Sequence, residues 1–454
     1  MGHTSTANHS DRARPRTIGL SLLGYGTVGK GVERILREQA DLIAARTGVR
    51  FDLRHVVVRD PSKHPVGART LTTDLSAAVD DPGVQVVVEL MGGVSPAFDL
   101  ISRALRLGKH IVTANKSLLA ARGPELFATA RAHGACLAFE ASCGGGIPIV
   151  RALQDGLLAN RIDALVGIVN GTCNVILTRM TRQGWTYAEA LAEAQRLGFA
   201  EADPTLDVSG RDAAQKLSIL AGLAFDVRVD ESQVHCEGID QLQPIDLRFA
   251  DELGYVIKLL AIAERSPPEA AGQQLFLRVH PTLVHQRDVL ADVSGSFNAI
   301  SVYGHALGHA LFYGRGAGSM PTASAVVSDL ISVAIGAAPA AFAALRIFPD
   351  TAPPALARPI SELRSRYYLR VTGRDVPGTI ARISAALGRH EISLSAILQR
   401  EDNGGKFVPI VVTTHIATEG NIRNALLEID ALDCVLPPTV CLRIIDQPQE
   451  GAAG

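Results

Sequence analysis

The sequence predicts an α/β protein built from a Rossmann-type nucleotide-binding domain, an α+β second domain and a small ferredoxin-like third domain. Three observations predict it. Short apolar strands alternate with helical segments over the first part of the chain, the pattern of a parallel, doubly wound sheet. Strands mixed with long helices follow, as in α+β domains. The last stretch runs strand, helix, strand, strand, helix, strand, which is the ferredoxin-like order.

The first domain opens with "TIGLSLLGYGTVGKGVERILREQADLI" from Thr17, an apolar strand entering a glycine-rich turn. A helix with apolar positions at Val28, Val32, Ile35 and Leu36 follows it. Further strands are expected at "LRHVVV" (53–58), "VQVVVEL" (84–90) and "HIVTA" (110–114), separated by helical segments. The pattern changes after "CLAFEASCGGGIPIV", where "ALVGIVNG" and "LFLRVHPTLV" read as strands among helices such as "DAAQKLSILAGLA". "FYGRGAGSMPTASAVVSDLISVAIGAA" gives a glycine turn and a helix that return to the first domain. The proline-rich "FPDTAPPALARPISELRS" reads as a linker. The expected boundaries are a tail at 1–16, a nucleotide-binding domain at 17–145 completed by about 307–340, a second domain at 146–306, a linker at 341–363, a third domain at 364–446 and a tail at 447–454.

Bulk composition excludes several classes of function. In 454 residues, 44 Lys+Arg stand against 46 Asp+Glu, for a formal net charge of -2. That balance gives no electrostatic reason to expect nucleic acid or a membrane surface as partner. The six cysteines form no C-x-x-C pair, which suits a reduced, cytoplasmic protein. The N-terminal "MGHTSTANHSDRARPR" lacks the apolar core of a secretory signal, and no apolar run approaches a membrane span.

"GYGTVG", Gly24 to Gly29, fits G-x-G-x-x-G between a strand and a helix, the context that a dinucleotide fingerprint requires. Gly24 permits the tight turn, Gly26 lets the backbone approach a pyrophosphate, and Thr27, Val28 and Gly29 open the helix whose N–H groups face the phosphates. The second strand ends "VVVRDPSK", so Arg59 stands where an acidic residue usually holds a ribose, with Asp60 and Lys63 close by. A forked guanidinium suits a 2′-phosphate, which favours NADP over NAD. The alternative is a surface arginine, with Asp60 holding the ribose. Lys116, in "TANKSLLA", sits just past a strand's C-terminal end, where the ligand crevice of such sheets lies. It contacts a cofactor or a substrate carboxylate there, or is a solvated lysine that starts a helix. In "FEASCGGGIPI", three consecutive glycines between apolar segments signal a hinge or a close backbone approach, and Glu140 at the end of an apolar strand needs a partner.

The charged run "FAEADPTLDVSGRDAAQKLSIL" places Asp212 and Lys216 four apart, on one helix face. An exposed pair of this kind contributes only about 0.3–0.5 kcal/mol. Here Leu217, Ile219, Leu220 and Leu223 make the helix largely buried, which favours a pair lining a pocket. A desolvated lysine oriented by a carboxylate can move a proton. Glu201 and Asp207 could bind a substrate ammonium.

Taken in order, "GYGTVG", "VELMGG", "TANK", "EASCGGGIPI", "NGTCNVIL", "GFAEADPTLDVSGRDAAQKL" and "YGRGAGSMPTASAVV" resemble homoserine dehydrogenases over residues 17 to about 340. Residues 364–446 resemble an ACT domain, with "RDVPGTIARISAALGRHEISL" matching its strand–turn–helix entry. The resemblance implies NAD(P)-dependent interconversion of L-homoserine and L-aspartate 4-semialdehyde, in threonine, methionine and isoleucine biosynthesis. It implies Lys216 as general acid/base, Lys116 assisting near the cofactor, Asp212 orienting, and Glu201 and Asp207 holding the amino-acid end. Gly316 and Gly318 would return beside the cofactor, and Thr172 and Asn174 resemble the segment between two domains. Glu140, Cys143, Gly145 and Ile147 fall where the family binds a sodium ion, largely through backbone carbonyls. The family typically forms homodimers through the second domain, sometimes homotetramers. The ACT domain implies a small amino-acid effector, with threonine as the end product. The competing expectations are a different semialdehyde or amino-acid reductase on this scaffold, and an amino-acid sensor that has lost catalysis.

Overall fold

The computed structural model describes residues 14–63, 71–266, 274–400 and 406–446. Both expected tails fall mainly outside these residues, although the first strand already begins at Arg16. The chain divides into two compact units, residues up to Val150 with Ala317–Ala352, and Arg151–Gly316 with the residues from Pro353 onward.

The first unit holds a six-stranded parallel sheet. Its strands are β1 (Arg16–Leu23), β2 (Val49–Val57), β3 (Leu71–Thr72), β4 (Val86–Glu89), β5 (His110–Thr113) and β6 (Leu137–Ala138). Their order is β3-β2-β1-β4-β5-β6, the doubly wound arrangement. β4 and β5 are buried almost throughout, as strands covered by helices on both faces must be. Register aligns Leu23, Glu89 and Thr113 across β1, β4 and β5. The loops that leave these strands therefore start from one edge of the sheet. Helix Ser319–Ala334 packs on the glycine-turn helix Thr27–Glu38 so closely that a Cβ at Gly31 would lie 2.9 Å from Ala323.

The linker expected at 341–363 is a correction. Helix Ala337–Ala344 runs into it, and Phe342 and Phe348 are buried against Phe127, with ring centroids 5.9 and 5.5 Å away. Arg131 closes the same corner with an ion pair to Asp350 at 2.6 Å. Burying an aromatic side chain contributes about 1.5–3 kcal/mol, enough to hold a proline-rich segment against its unit.

The second unit is one mixed sheet that joins the α+β and ferredoxin-like parts. Its first strands are β7 (Ile162–Ile168), β8 (His235–Cys236), β9 (Tyr255–Arg265), β10 (Gln274–His285), β11 (Phe297–Gly304) and β12 (Gly308–Arg315). Then come β13 (Leu356–Ala357), β14 (Arg364–Arg374), β15 (Leu394–Gln399), β16 (Phe407–Thr414), β17 (Ala417–Thr418) and β18 (Val435–Ile444). The main path is β12-β11-β7-β9-β10-β18-β14-β16-β15. Its crossing point is β10, where Thr282 and Leu283 pair in parallel with Arg443 and Ile444 of β18. The third part has its own core, with Tyr367, Leu369, Val371, Ile383, Leu387, Ile410, Ile422 and Ile429 all nearly inaccessible.

Two buried ion clusters reinforce this seam. Arg370 of β14 donates from Nε to Asp246 Oδ1 at 2.6 Å and from Nη2 to Asp246 Oδ2 at 3.1 Å, while the Tyr368 hydroxyl donates to Asp246 at 3.2 Å. Arg443 of β18 donates from Nε to Glu419 at 2.9 Å and from Nη1 and Nη2 to Glu237 at 2.8 and 3.0 Å. The hydrogen bonds from Arg443 and His235 hold the Glu237 carboxyl far below the usual range, against its burial.

Among the described residues no single helix is long and apolar enough to cross a membrane.

Candidate active site

In the first unit the chain leaves β1 through Gly24, at φ +102°, and the Gly24 N–H donates to the Val57 carbonyl of β2 at 3.1 Å. A Cβ on Gly24 would sit 2.8 Å from the Leu90 backbone, so no larger residue fits. A Cβ on Gly29 would run into the Gly24 carbonyl, which fixes the spacing of the turn. Around Gly26 nothing lies within 4 Å of such a Cβ. This open backbone, at the N-terminus of a 12-residue helix, is the cradle that a pyrophosphate needs, so the turn fits a dinucleotide. The Ser319 hydroxyl donates to the Thr27 carbonyl at 2.7 Å, which brings Gly318, at φ +129°, beside the turn.

Arg59 is exposed two residues past Val57, at the same edge. Asp60 accepts from the Ser62 N–H at 3.0 Å and approaches Lys63 Nζ at 3.6 Å. The buried Glu89 carboxylate accepts from the N–H groups of Met91 and Gly92 at 2.8 and 3.1 Å and from the Thr113 hydroxyl at 2.7 Å. Asn115 donates to the Gly93 carbonyl at 2.7 Å and caps the helix that Lys116 begins. Lys116 thus stands at the C-terminal edge of β5. Nearby, the Glu140 carboxylate is buried and accepts from the Val150 N–H at 2.9 Å, while Gly144 and Gly145 take φ of +73° and +54°.

In the second unit, helix Arg211–Phe225 starts from Gly210 at φ +83°, where a Cβ would lie 2.9 Å from Cys236 Sγ. Asp212 in its first turn suits the positive end of the helix dipole and is buried. One turn on, Lys216 Nζ donates to Asp212 Oδ2 at 2.7 Å and to the Val169 carbonyl at 2.8 Å. Sequence reasoning missed the group that completes this cluster. The Asn170 amide donates from one nitrogen to Asp207 Oδ1 and Asp212 Oδ2, both at 2.7 Å, and its oxygen caps the helix at Cys173 N, 2.8 Å away. Its one signal in the sequence is an Asn before Gly-Thr where a strand becomes a helix, the position of an N-cap. Burial, with Asp207 and Asp212 close by, pushes the Cys173 thiol well above its usual range, and the thiol donates to the Asp207 carbonyl at 3.2 Å.

The structure therefore brings Asp207, Asp212 and Lys216 together around Asn170. Glu201 is exposed on the preceding loop, where its carbonyl accepts from Gln195. Thr172 donates to the Phe199 carbonyl at 2.8 Å, and the Asn174 amide ties down the carbonyls of Gly295 and Phe297 at 3.0 and 3.1 Å. Gly316 lies against the Asn298 amide, which leaves no room for a side chain there.

A dinucleotide turn in a doubly wound domain, with a lysine–carboxylate pair on a buried helix of the second unit, defines an NAD(P)-binding oxidoreductase. Residues 148–331 match the homoserine dehydrogenase family, residues 24–140 its NAD-binding domain and residues 367–433 the ACT domain. The chain belongs to the homoserine dehydrogenase family. It is 42% identical to a homoserine dehydrogenase of Pseudomonas aeruginosa, covering 94% of this chain and 99% of that one. It is 44% identical to one from Synechocystis, covering 94% and 100%. A solved homoserine dehydrogenase from Thiobacillus denitrificans superposes with a TM-score of 0.89 at 43% identity, over 95% of this chain and 99% of that chain.

Proposed function

We propose that the chain interconverts L-homoserine and L-aspartate 4-semialdehyde in amino-acid biosynthesis, with Lys216 as the group that moves the proton. The bound nicotinamide supplies or takes the hydride. In the reductive direction the Lys216 ammonium donates its proton to the oxygen that develops charge as the aldehyde carbon gains hydride. In the oxidative direction the neutral amine takes the hydroxyl proton back. The observation that carries this reading is Lys216 Nζ fixed by two acceptors, Asp212 and the Val169 carbonyl, at 2.7 and 2.8 Å. A lysine held this way keeps one orientation through the reaction. Asp212 orients Lys216, while Asp207 and Glu201 bind the substrate's ammonium. Lys116 assists beside the cofactor.

NADP is favoured over NAD. What supports this is the exposed Arg59 guanidinium just past the strand whose carbonyl takes the Gly24 N–H. A sodium ion fits the Glu140–Ile147 loop through the carbonyls of Cys143, Gly145 and Ile147. Left-handed Gly144 and Gly145 turn this backbone sharply beside a buried carboxylate. The ACT domain takes threonine as a feedback effector at the Arg374–Ala381 turn, which borders a cavity of about 390 Å³. The enzyme works as a homodimer or homotetramer in the cytoplasm.

The test is purified protein with L-homoserine, following reduced cofactor with NAD and NADP in parallel, with and without threonine. Lys216→Ala is expected to abolish turnover and leave cofactor binding intact. Turnover within about tenfold of the parent, or loss of cofactor binding as well, overturns the role given to Lys216.

A further inference from the structure

A cavity of about 200 Å³ lies at the seam between β10 and the ACT strands, and its lining is chemically unusual. Strand alternation sends Arg278, His280 and Thr282 of β10 to one face, together with Ile262 and Glu264 of β9. Arg443, Ile444 and Arg364 complete the wall from the ACT side, and Ile416 and Asp446, both exposed, stand at the mouth.

Two of these side chains are more than nine-tenths buried and keep polar atoms without a partner. Arg278, 6% exposed, spends only Nη2 on Glu264, at 2.6 Å, leaving Nε and Nη1 unmatched. His280, 1% exposed, has Nδ1 near the Pro281 carbonyl at 3.1 Å and Thr282 Oγ1 at 2.8 Å, while Nε2 has no partner. The Thr282 hydroxyl donates to the His280 carbonyl at 3.1 Å, so its oxygen accepts from Nδ1–H and Nε2 is the bare lone pair. Burial first, then Arg443 and Arg278, push the imidazole well below its usual range, so it is neutral. Buried polar groups without partners are costly, on the order of 1–3 kcal/mol each, and two such residues lining one cavity mark a place for a polar guest.

We propose that this cavity is a small-molecule site for one small α-amino or α-hydroxy acid. The carboxylate accepts from one of the two unmatched Arg278 groups, Nε–H or Nη1–H, and the neighbouring ammonium or hydroxyl donates to His280 Nε2. At about 30 Å³ per water, the space equals roughly seven waters, enough for a ligand of this size with its residual solvent. The site is separate from the Arg374–Ala381 turn. It reaches the catalytic cluster through Arg443, because Arg443 holds Glu237, and two residues on the Ile239 N–H donates to the Val208 carbonyl at 2.9 Å, directly after Asp207.

The test is isothermal titration of the full chain, without nicotinamide cofactor, using L-serine, L-lactate and acetate. The expected result is one site per chain for at least one of the first two, with acetate, which lacks the donor, bound about tenfold more weakly. Ile416→Trp, at an exposed position over the mouth, removes this binding, and Arg278→Gln weakens it at least roughly tenfold. Val376→Trp, at the separate turn, leaves it unchanged, and circular dichroism verifies that each variant is folded. No heat from any probe, meaning a cavity that holds only water, overturns the proposal. So does binding that Val376→Trp abolishes and Ile416→Trp spares, or acetate binding as tight as lactate.

Discussion

Replacing Asn170 with alanine removes a side chain that holds both carboxylates of the proposed catalytic cluster. Its amide nitrogen makes two charge-assisted bonds at 2.7 Å, and its oxygen caps the following helix at 2.8 Å. A hydrogen bond to a charged group contributes about 1.5–3 kcal/mol. Asp207 is half-buried, so water replaces much of its lost partner, whereas Asp212 is only 4% exposed, so water does little to replace the bond lost there. The loss felt by substrate and Lys216 is then roughly 3 kcal/mol, about a hundredfold in kcat/KM. The lost cap takes a further ~1 kcal/mol from stability. The assay is steady-state oxidation of L-homoserine, with cofactor KM measured separately. Asn170→Asp sharpens it. That variant puts a third carboxylate among two others, so its activity relative to the parent should recover on acidification, as the new carboxyl takes a proton and donates again. Asn170→Ala within threefold of the parent in kcat/KM, or a flat relative profile for Asn170→Asp, refutes the tether.

Other perturbations test other parts of the chain. Lys258 is buried with Nζ on the Val293 carbonyl, and burial, aided by Arg182, pushes it from the ordinary 10.5 down to about 8. Its charged form therefore costs the fold about 3 kcal/mol below pH 8, and the cost fades as pH rises toward 10.5. Lys258→Met should be more stable than the parent near neutrality, with the difference in urea midpoint shrinking on the alkaline side. A pH-independent difference contradicts this. Arg59→Ala should raise KM for NADP about tenfold and leave NAD nearly unchanged, and an equal effect on both cofactors removes its link to a 2′-phosphate. Arg370→Met strands the fully buried Asp246 and should cost roughly 3–5 kcal/mol in denaturant unfolding, most of which Asp246→Leu in the same chain restores. A double variant as unstable as the single one shows that packing, not charge, holds the seam.

The nucleotide turn was readable in the sequence because its glycines report local requirements, a positive φ at Gly24 and a crowded Cβ at Gly29. The Asp212–Lys216 pair was readable for the same reason, since four residues of helix set their distance. Asn170 was not, because its partners lie 37 and 42 positions away and only folding brings them near. The prolines of 341–363 suggested a linker, but Phe342 and Phe348 find Phe127 far away in sequence. The ACT order of elements was readable from its alternating strands and helices. Its attachment to β10 was not, because "VCLRII" has the composition of any half-buried strand and nothing local names its neighbour.

That attachment has a bearing on how the molecule is made. β10 leaves the ribosome long before β18, and the contact closes a loop of roughly 160 residues, among the slower events in folding. Until then, part of β10 offers unpaired N–H and carbonyl groups, the kind of edge that recruits strands from other chains. Nascent chains of the second unit therefore pass through a sticky, half-closed stage that ends only when the late strand docks. The ACT segment acts as the last stave of the sheet, and a shortened gene product lacking it should partition into aggregates and chaperone complexes.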